Sequence, residues 1–152
     1  MSDPLEDCFH LGAKVLLQNS EGRLLLLEKQ HPRKGPFWEL PGGRIQKGES
    51  LMQALQREIE EETGFKGIEA AMPFDMILTN IRISTSKGEV GLILSVYHCV
   101  IPCSFTPRLS SEHTNFGWFS VSESAELVKP QYPKAFIEKI ARMTSFCAEK
   151  ST

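Results

Sequence analysis

Four glutamates lie within five positions near the end of a segment with helical spacing. The segment reads GGRIQKGESLMQALQREIEEETGF, and the glutamates are Glu58, Glu60, Glu61 and Glu62. Carboxylates at this end of a helix face the negative end of its dipole, and like charges three or four residues apart repel by roughly 0.2 to 0.5 kcal/mol per pair. A bound cation would remove this repulsion, and clustered carboxylates suit Mg²⁺ or Mn²⁺. A solvated acidic helix face is the alternative.

The helical geometry separates these glutamates. At about 100° per residue, the apolar side chains share one face: Leu51, Met52, Leu55 and Ile59. Glu62 then projects onto the edge of the buried face, with Glu58 and Glu61 beside it, whereas Glu60 points to solvent. Burial of an unpaired carboxylate is costly. Arg57 is expected to neutralise one carboxylate but not three, which leaves a role for a metal ion.

A glycine-rich segment, ELPGGRIQKGES, comes directly before this helix. Pro41, Gly42, Gly43 and Gly48 predict a loop whose backbone approaches a ligand closely, because glycine has no side chain to block the approach. A plain turn is the alternative for the Gly-Gly pair alone. The coupling of this loop to the acidic helix favours a binding site.

The loop and the helix together resemble the Nudix box, the signature of the Nudix hydrolases. Every fixed position of that signature is present: Gly43, Glu49, Arg57, Glu58, Ile59, Glu61, Glu62, Gly64 and Phe65. The preceding FWELPGG segment, the flanking strands and a terminal helix are also similar to this family. The resemblance implies an α/β fold, an α/β/α sandwich with a mixed sheet and the Nudix loop-helix motif, in a single domain over residues 1–152.

The resemblance also implies an activity. Nudix enzymes hydrolyse the diphosphate linkage of a nucleoside diphosphate joined to another group, X, and use Mg²⁺ or Mn²⁺. Carried onto this sequence, the metal ligands are Glu58, Glu61 and Glu62, with the backbone carbonyl of Gly42 or Gly43 as a further candidate. The expected partner is therefore a nucleotide or a nucleoside-diphosphate derivative.

Three more residues receive catalytic roles from the resemblance. Arg57 and Glu49 are expected to form an ion pair that orients the ligating carboxylates. Glu58 is one candidate for the general base. Glu112, in the segment SSEHTNFGW, is another, with an exposed loop acid as the alternative. For the adjacent His113, a surface histidine or a hydrogen-bonded loop histidine is favoured over a phosphate contact.

Candidate substrate-binding residues lie on both sides of the box. Arg33 and Lys34, in the segment HPRKG, form a basic loop that is suited to phosphate, although a solvated loop is equally consistent. Trp38 and Phe116 are candidates for stacking on a base, and core packing is the alternative for both.

The identity of X is open at this level. The segment SSEHTNFGWFS is similar to the corresponding stretch of members that cleave nucleoside triphosphates to monophosphate and pyrophosphate. A (deoxy)nucleoside triphosphate is therefore the expected substrate, with ADP-ribose or a dinucleoside polyphosphate as the alternative. A non-catalytic nucleotide sensor or binding module is the alternative from another class.

The composition of the chain limits which binding partners and which cellular location are expected. The chain has 152 residues, 41% of them apolar, and a formal net charge of −2, which gives no bulk attraction to nucleic acid or anionic lipid. We expect no DNA-binding domain, no membrane segment and no secretory signal, and a cytoplasmic location. The cysteines, Cys8, Cys99, Cys103 and Cys147, lack metal-ligand spacing and are expected to be reduced and mostly buried.

Local patterns predict the elements that position the site. AKVLLQN and GRLLLLEK predict a hairpin, DMILTNIRIST and VGLILSVYHCVI predict central strands, and NFGWFSV predicts a shorter strand. The acidic helix is expected to follow the N-cap residue Ser50 and to end at Gly64. Ser120 and Glu123 form a capping-box pattern, and an amphipathic helix that includes Met143 is expected after Pro133.

Overall fold

The computed structural model describes residues 5–102 and 104–143 of the chain, whose centre is a seven-stranded mixed sheet. In chain order, the elements are β1 (Phe9–Gln18), β2 (Leu24–His31), β3 (Gly35–Glu39), β4 (Gly42–Arg44), α1 (Leu51–Thr63), β5 (Met72–Thr85), β6 (Gly88–Val100), β7 (Asn115–Phe119), α2 (Val121–Val128) and α3 (Lys134–Ala141). The main path of the sheet is β3-β2-β1-β6-β5; β4 pairs with β1, and β7 pairs with β2.

One strand pair in this sheet is parallel. β1 and β6 run side by side from Phe9 opposite Gly91 to Gln18 opposite Val100, and the other pairs are antiparallel. A parallel pair needs a long crossover, which here contains β2, β3, β4, α1 and β5. The box therefore lies within the connection that joins the two central strands.

Helices cover both faces of the sheet. On one face, Leu55 and Ile59 of α1 pack on alternate residues of β1, such as Val15. On the other face, α2 and α3 pack on residues that include Leu16 and Leu26. Burial of each such side chain contributes about 1.5 to 3 kcal/mol. The predicted α/β/α sandwich is confirmed.

The helix ends are fixed by local hydrogen bonds. Ser50 caps α1 in a capping box with Gln53, and Gly64 ends the helix at φ 79° with its N–H bonded to the carbonyl of Glu60. Ser120 and Glu123 form the predicted capping box of α2. These helix predictions are confirmed. The prediction that the last helix includes Met143 was wrong: the helix ends at Ala141, and Met143 packs on the core from beyond it.

The sequence prediction was wrong for β5, which lies at the edge of the sheet. Met72, Met76 and Leu78 are 66%, 66% and 62% exposed. An apolar run predicts a strand buried on both faces, but strand order depends on distant partners, and β5 pairs with β6 alone. Two register shifts interrupt the pairing of β5 with β6. Irregularities of this kind make an edge strand less able to pair with a strand of another chain.

The start of the box was also predicted incorrectly, because it contains a strand where a loop was expected. β4 pairs with β1, and Gly43 lies opposite Ala13 in this pairing. Gly42 has φ +135°, and a Cβ atom there would lie 2.0 Å from the carbonyl oxygen of Ala13. Only glycine therefore fits this strand, and its approach to β1 fixes where the box begins.

Two further predictions concern single features. Within the part of the chain that the structure describes, no helix is both long and apolar enough to cross a membrane. Cys99 is buried and reduced, as predicted, but Cys8 is exposed. Cys103 and Cys147 lie outside the described residues.

Candidate active site

An open cleft of about 1070 Å³ lies beside the box. Glu58 and Glu62 of α1, Glu39 of β3 and Glu112 of the loop before β7 contribute carboxylates to its lining. Apolar side chains from β1, β5 and β6 also line it: Leu11, Ile83, Leu92 and Leu94. The cleft therefore offers acids and an apolar wall to the same ligand.

Glu62 is the buried carboxylate of this cleft. It is 3% exposed, and its Oε1 accepts a 2.8 Å hydrogen bond from the backbone N–H of Gly42. Burial raises the pKa of Glu62 to about 7, because desolvation outweighs the opposing effects of Lys14 and the Gly42 N–H. The side chain therefore exchanges its proton near neutral pH.

Arg57 organises the other carboxylates of α1. Its Nε and Nη2 atoms lie 2.6 and 3.1 Å from the two oxygens of Glu49, which is the predicted ion pair. Its Nη1 atom lies 2.8 Å from Oε1 of Glu58 and 3.3 Å from Oε2 of Glu61. Of the three carboxylates considered in the sequence analysis, the planar fork of Arg57 reaches Glu58 and Glu61, while Glu62 accepts from the Gly42 N–H instead, so Arg57 does not serve all three. One positive charge against three negative charges still leaves an excess that favours a cation.

The absence of a side chain at Gly43 leaves room for the carboxylate of Glu58. A Cβ atom at Gly43 would lie 2.5 Å from the carboxyl carbon of Glu58, which is closer than such atoms pack. The space that glycine leaves empty is filled by this carboxylate. The carbonyl of Gly42, an expected metal ligand, accepts a 3.2 Å hydrogen bond from Nζ of Lys14.

A mostly buried polar cluster in the wall of the cleft was missed by the sequence analysis. Lys14 is 9% exposed; its Nζ donates to the carbonyl of Leu40 at 3.0 Å and lies 3.6 Å from Oε1 of Glu39. Oε2 of Glu39 lies 2.7 Å from Nε2 of His113. A lysine in the middle of the apolar residues 11–17 was the available signal.

Electrostatics within this cluster hold Glu39 ionised. Burial alone would raise the pKa of Glu39, but the charge of Lys14 and the hydrogen bond from His113 lower it to about 2. Burial alone would likewise lower the pKa of Lys14, but Glu39 and the neighbouring Tyr132, Glu62 and Glu58 raise it above its ordinary value. Lys14 and Glu39 therefore form a buried ion pair.

The loop before β7 brings two residues to Glu62. One ligand atom each from Glu62, Glu112 and His113 lie within 4.8 Å of one another, and Glu112 is exposed to the cleft. His113 is 5% exposed, so the surface alternative was wrong. The alternative of a satisfied loop histidine holds at Nε2, which bonds to Glu39, but not at Nδ1, which is buried and has no hydrogen-bond partner among the described residues.

A family comparison decides the identity of this arrangement. The model of the NUDIX domain matches residues 9–139, which include the cleft and both layers of helices. The chain belongs to the Nudix hydrolase family. The predicted family is thereby confirmed.

Relatives and solved structures agree with this assignment. The chain is 30% identical over 118 residues to the nucleoside triphosphatase NudI of Escherichia fergusonii, a match that covers 73% of this chain and 82% of the relative. The MutT protein of Methanosarcina mazei Go1 has the same fold, with a TM-score of 0.64, 24% identity and coverage of 97% and 99% of the two chains.

Another relative is much longer than the matched region. An octanoyltransferase of Myxococcus xanthus is 33% identical over 118 residues, which are 75% of this chain and 31% of that protein. The chain therefore spans about a third of that relative's length.

The four predicted substrate-binding residues do not line the Nudix cleft. Arg33 and Lys34 lie in the exposed turn between β2 and β3, where their N–H groups bond to Nδ1 of His31. Trp38 packs edge-to-face on Phe119 in the layer of α2 and α3, whereas Phe116 packs in the layer of α1. Trp38 and Phe116 lie on opposite faces of the sheet, so they cannot both stack on one base. The basic side chains of the cleft include Lys29, Arg44 and Lys47.

The donors of the cleft fit a divalent cation. Glu62 and Glu112 supply carboxylate oxygens next to a ring nitrogen of His113. The empty space at Gly43 admits the carboxylate of Glu58 to the same cleft. Carboxylate oxygens are the ligands that Mg²⁺ and Mn²⁺ take in proteins.

Proposed function

We propose that this domain hydrolyses the diphosphate linkage of a nucleoside diphosphate joined to X, with (deoxy)nucleoside triphosphates as substrates. The products are then a nucleoside monophosphate and pyrophosphate. The observation that carries the proposal is the buried carboxylate of Glu62, which faces an open cleft together with Glu58 and Glu112. A buried carboxylate in a ligand-sized cleft is costly unless a cation is its partner.

The proposed ligands of the cation are the box carboxylates Glu58, Glu61 and Glu62, with the Gly42 or Gly43 carbonyl as a further ligand. A bound Mg²⁺ or Mn²⁺ supplies charge neutralisation on the diphosphate oxygens and makes water more acidic. Arg57 fixes the orientation of the Glu58 carboxylate, because its guanidinium group bonds to Glu49 and to Glu58 at the same time.

Carboxylates of the cleft are proposed to accept the proton of the attacking water, and basic side chains of the cleft are proposed to bind the substrate. Glu58 and Glu112 line the cleft and are the two proposed acceptors of the attacking water's proton. Arg57 donates a hydrogen bond to Oε1 of Glu58 and so occupies one of its two oxygens, which favours Glu112 as the acceptor. Lys29, Arg44 and Lys47 line the cleft and are placed to bind phosphate oxygens.

Substrate choice is proposed from a relative and from the shape of the cleft. The similarity to a nucleoside triphosphatase favours a nucleoside triphosphate. The apolar wall of Leu11, Ile83 and Leu92 suits the face of a base.

Product analysis tests the proposal. Nucleoside triphosphates, ADP-ribose and dinucleoside polyphosphates are incubated with the protein and Mg²⁺, and the products are separated by chromatography. We expect monophosphate and pyrophosphate from triphosphates, and in ¹⁸O water the label reports which phosphorus atom is attacked. Release of inorganic phosphate alone would exclude pyrophosphohydrolysis.

Two neighbouring exchanges make a matched pair for this assay. Glu61→Gln is expected to lower turnover by about 10²-fold or more, because Glu61 is a proposed ligand. Glu60→Gln makes the same change of charge one residue away, on an exposed side chain that pairs with Lys66, and should leave turnover unchanged. Tight binding of Mg²⁺ and nucleotide without product would overturn the enzyme proposal in favour of a nucleotide sensor.

A further inference from the structure

One buried side chain attaches the loop before β7 to the interior of the protein. The side chain of His113 has no exposed surface, whereas Glu112 and Thr114 on either side of it are exposed. Nε2 of His113 lies 2.7 Å from Oε2 of Glu39. Because a carboxylate only accepts hydrogen bonds, Nε2 carries the proton and donates it. Nδ1 has no hydrogen-bond partner among the described residues, so the orientation of the ring depends on the bond to Glu39.

Glu39 is a firm point of attachment for this ring. It is the last residue of β3, where it lies opposite Leu27 of β2. Its Oε1 atom lies 3.6 Å from Nζ of Lys14, in the middle of β1. A hydrogen bond to an ionised carboxylate is about twice as strong as one between neutral groups. The ring of His113 is therefore attached through one carboxylate to the sheet itself.

Glu112 is the residue directly before this attachment, and it lines the cleft. One oxygen of its carboxylate lies within 4.8 Å of a carboxylate oxygen of Glu62 and of a ring nitrogen of His113. The N–H groups of Glu112 and His113 donate to Oγ and to the carbonyl of Ser110, at 3.3 and 3.4 Å. Both bonds are long and lie within the loop, so they do not attach Glu112 to the rest of the protein.

Backbone bonds to the rest of the protein lie on either side of this segment. The N–H of Arg108 donates to the last residue of α1 at 2.8 Å, and the N–H of Thr114 donates to a carbonyl of β2 at 2.9 Å. Of residues 110–113, which lie between these two bonds, His113 alone is buried. The position of the Glu112 backbone in the cleft therefore depends on the side chain of His113.

We propose that His113 is a positioning residue for Glu112, because its bond to Glu39 holds the Glu112 carboxylate in the cleft beside Glu62. This inference rests on the proposed function, in which Glu112 accepts the proton of the attacking water. A proton acceptor must lie within hydrogen-bond reach of that water, and a displacement of about 1 Å costs on the order of 10²-fold in rate. Loss of the His113 bond should therefore lower kcat and leave KM almost unchanged.

Two substitutions of His113 separate the hydrogen bond from the ring. His113→Gln keeps an N–H donor at the end of a side chain of similar reach, whereas His113→Leu has no donor. We expect His113→Leu to lower kcat about 10- to 100-fold and His113→Gln to retain most of the wild-type kcat. If His113→Leu does not fold, His113→Asn replaces it, because its polar side chain is too short to reach Glu39.

His98→Leu is the matched control for these variants. Nε2 of His98 also makes a side-chain hydrogen bond, 2.8 Å from Oε1 of Gln18, but His98 lies in β6 and does not line the cleft. This exchange should leave kcat and KM at their wild-type values. A loss of kcat in His98→Leu as large as in His113→Leu would overturn the inference, because the position of Glu112 would then not be the cause.

A double-mutant cycle with Glu112→Gln shows whether His113 acts through Glu112. In the Glu112→Gln background, His113→Leu should lower the remaining kcat by less than about twofold, because the group that it positions is already lost. A general loosening of the fold would lower kcat equally in both backgrounds. Equal losses, or a wild-type kcat in His113→Leu, would overturn the inference.

Hydrogen exchange measured by mass spectrometry reports on the loop without any turnover. We expect the amides of residues 109–113 to exchange about tenfold faster or more in His113→Leu, and at nearly the wild-type rate in His113→Gln and His98→Leu. Unchanged exchange in His113→Leu would overturn the inference whether or not the protein hydrolyses nucleotides. Faster exchange in a protein without hydrolase activity would overturn the proposed function alone, and hydrolysis with equal losses in the cycle would overturn this inference alone.

Discussion

The backbone N–H of Gly42 donates a 2.8 Å hydrogen bond to Oε1 of Glu62, which is twenty residues away in the chain. This bond joins the residue directly before the Nudix box to the last turn of the box helix. Because Gly42 is also paired with Lys14 in the sheet, the position of Glu62 is tied to β1. The carboxylate is thus held in the cleft before any ligand arrives, and its burial has consequences for stability.

Glu62→Gln is expected to stabilise the metal-free protein at high pH. The exchange keeps an acceptor for the Gly42 N–H and removes a buried charge. Because the folded-state pKa of Glu62 is raised to about 7, the cost of its ionisation is absent below its ordinary pKa, grows as pH rises to about 7, and stays constant above that. The expected gain at pH 8 is on the order of 3 kcal/mol.

Urea unfolding at pH 5 and at pH 8, with EDTA present, measures this gain. The gain should be small at pH 5 and near its maximum at pH 8. Glu60→Gln, at an exposed position of the same helix, serves as the control and should shift stability little at either pH. An equal effect of Glu62→Gln at both pH values would show that burial does not perturb this carboxylate.

Metal binding should reverse the order of stability at pH 8. A cation that binds the folded state alone stabilises it in proportion to the logarithm of its concentration over Kd. We expect millimolar Mn²⁺ to raise the Tm of the wild type and to have little effect on Glu62→Gln. Proton uptake or release in calorimetric titrations near pH 7 gives a second readout, because the ion competes with the proton for this carboxylate. Equal Tm shifts in the two proteins would remove Glu62 from the ligand set.

Arg57→Lys should weaken the site although the positive charge is kept. Lysine cannot reproduce the fork that spans Glu49 and Glu58, so the carboxylates lose their orientation. We expect a loss of about 10- to 100-fold in metal affinity or turnover. Arg82→Lys is the matched control, since Arg82 also bridges two acids, Asp7 and Glu89, at the surface.

Isothermal titration with Mn²⁺ and steady-state kinetics on both variants provide the measurement. Turnover at the wild-type level in Arg57→Lys would mean that a charge alone, without the bidentate geometry, suffices to hold Glu58.

Gly43→Ala should displace Glu58. The new methyl group would lie 2.5 Å from the carboxyl carbon, and the β4–β1 pairing limits how far the backbone retreats. We expect loss of turnover and of metal-dependent stabilisation. Gly48→Ala is the control: its φ of +86° makes alanine strained by roughly 1 kcal/mol, but no atom lies within 4 Å of the added carbon. A Gly43→Ala variant with wild-type kinetics would show that Glu58 has room to move without functional loss.

The elements that the sequence predicted correctly are those that depend on residues close together in the chain. The box helix, its cap at Ser50 and its end at Gly64 were predicted because each depends on residues a few positions apart. The strand β4 and the edge position of β5 were not, because the pairing of a strand is decided by a partner far away in the chain. Apolar runs in β5 and β6 look alike, although β6 alone is central.

The same difference between local and long-range contacts explains which parts of the candidate site could be predicted. The acids of α1 lie within a short segment and were predicted from their spacing, and the ion pair of Arg57 with Glu49 was implied by the resemblance to the Nudix box. The contact of Glu39 with His113 joins residues 74 positions apart, and no local pattern reports it. Lys14, in the middle of an apolar strand, was the visible sign of a polar cluster in the wall of the cleft.

Lys14→Met is expected to destabilise the protein severely at pH 8. The exchange removes the cation that balances Glu39 and leaves that carboxylate buried, which typically costs about 3 to 5 kcal/mol. It also removes the donor that the carbonyls of Leu40 and Gly42 share. Lys66→Met, at an exposed lysine that pairs with Glu60, should change stability by about 0.5 kcal/mol or less.

The pH dependence separates the lost charge from the lost hydrogen bonds. In the wild type the folded pKa of Glu39 is depressed to about 2, so its contribution to stability is present above its ordinary pKa and is lost as pH falls toward 2. Without Lys14 that contribution is gone, so the deficit of Lys14→Met, measured by urea unfolding, should be full at pH 8 and shrink as pH falls from about 5 toward 2. The double variant Lys14→Met with Glu39→Leu should recover part of the stability, because an apolar pair can replace a buried ion pair. A deficit that is constant with pH and is not recovered in the double variant would assign the role of Lys14 to the two carbonyls instead of Glu39.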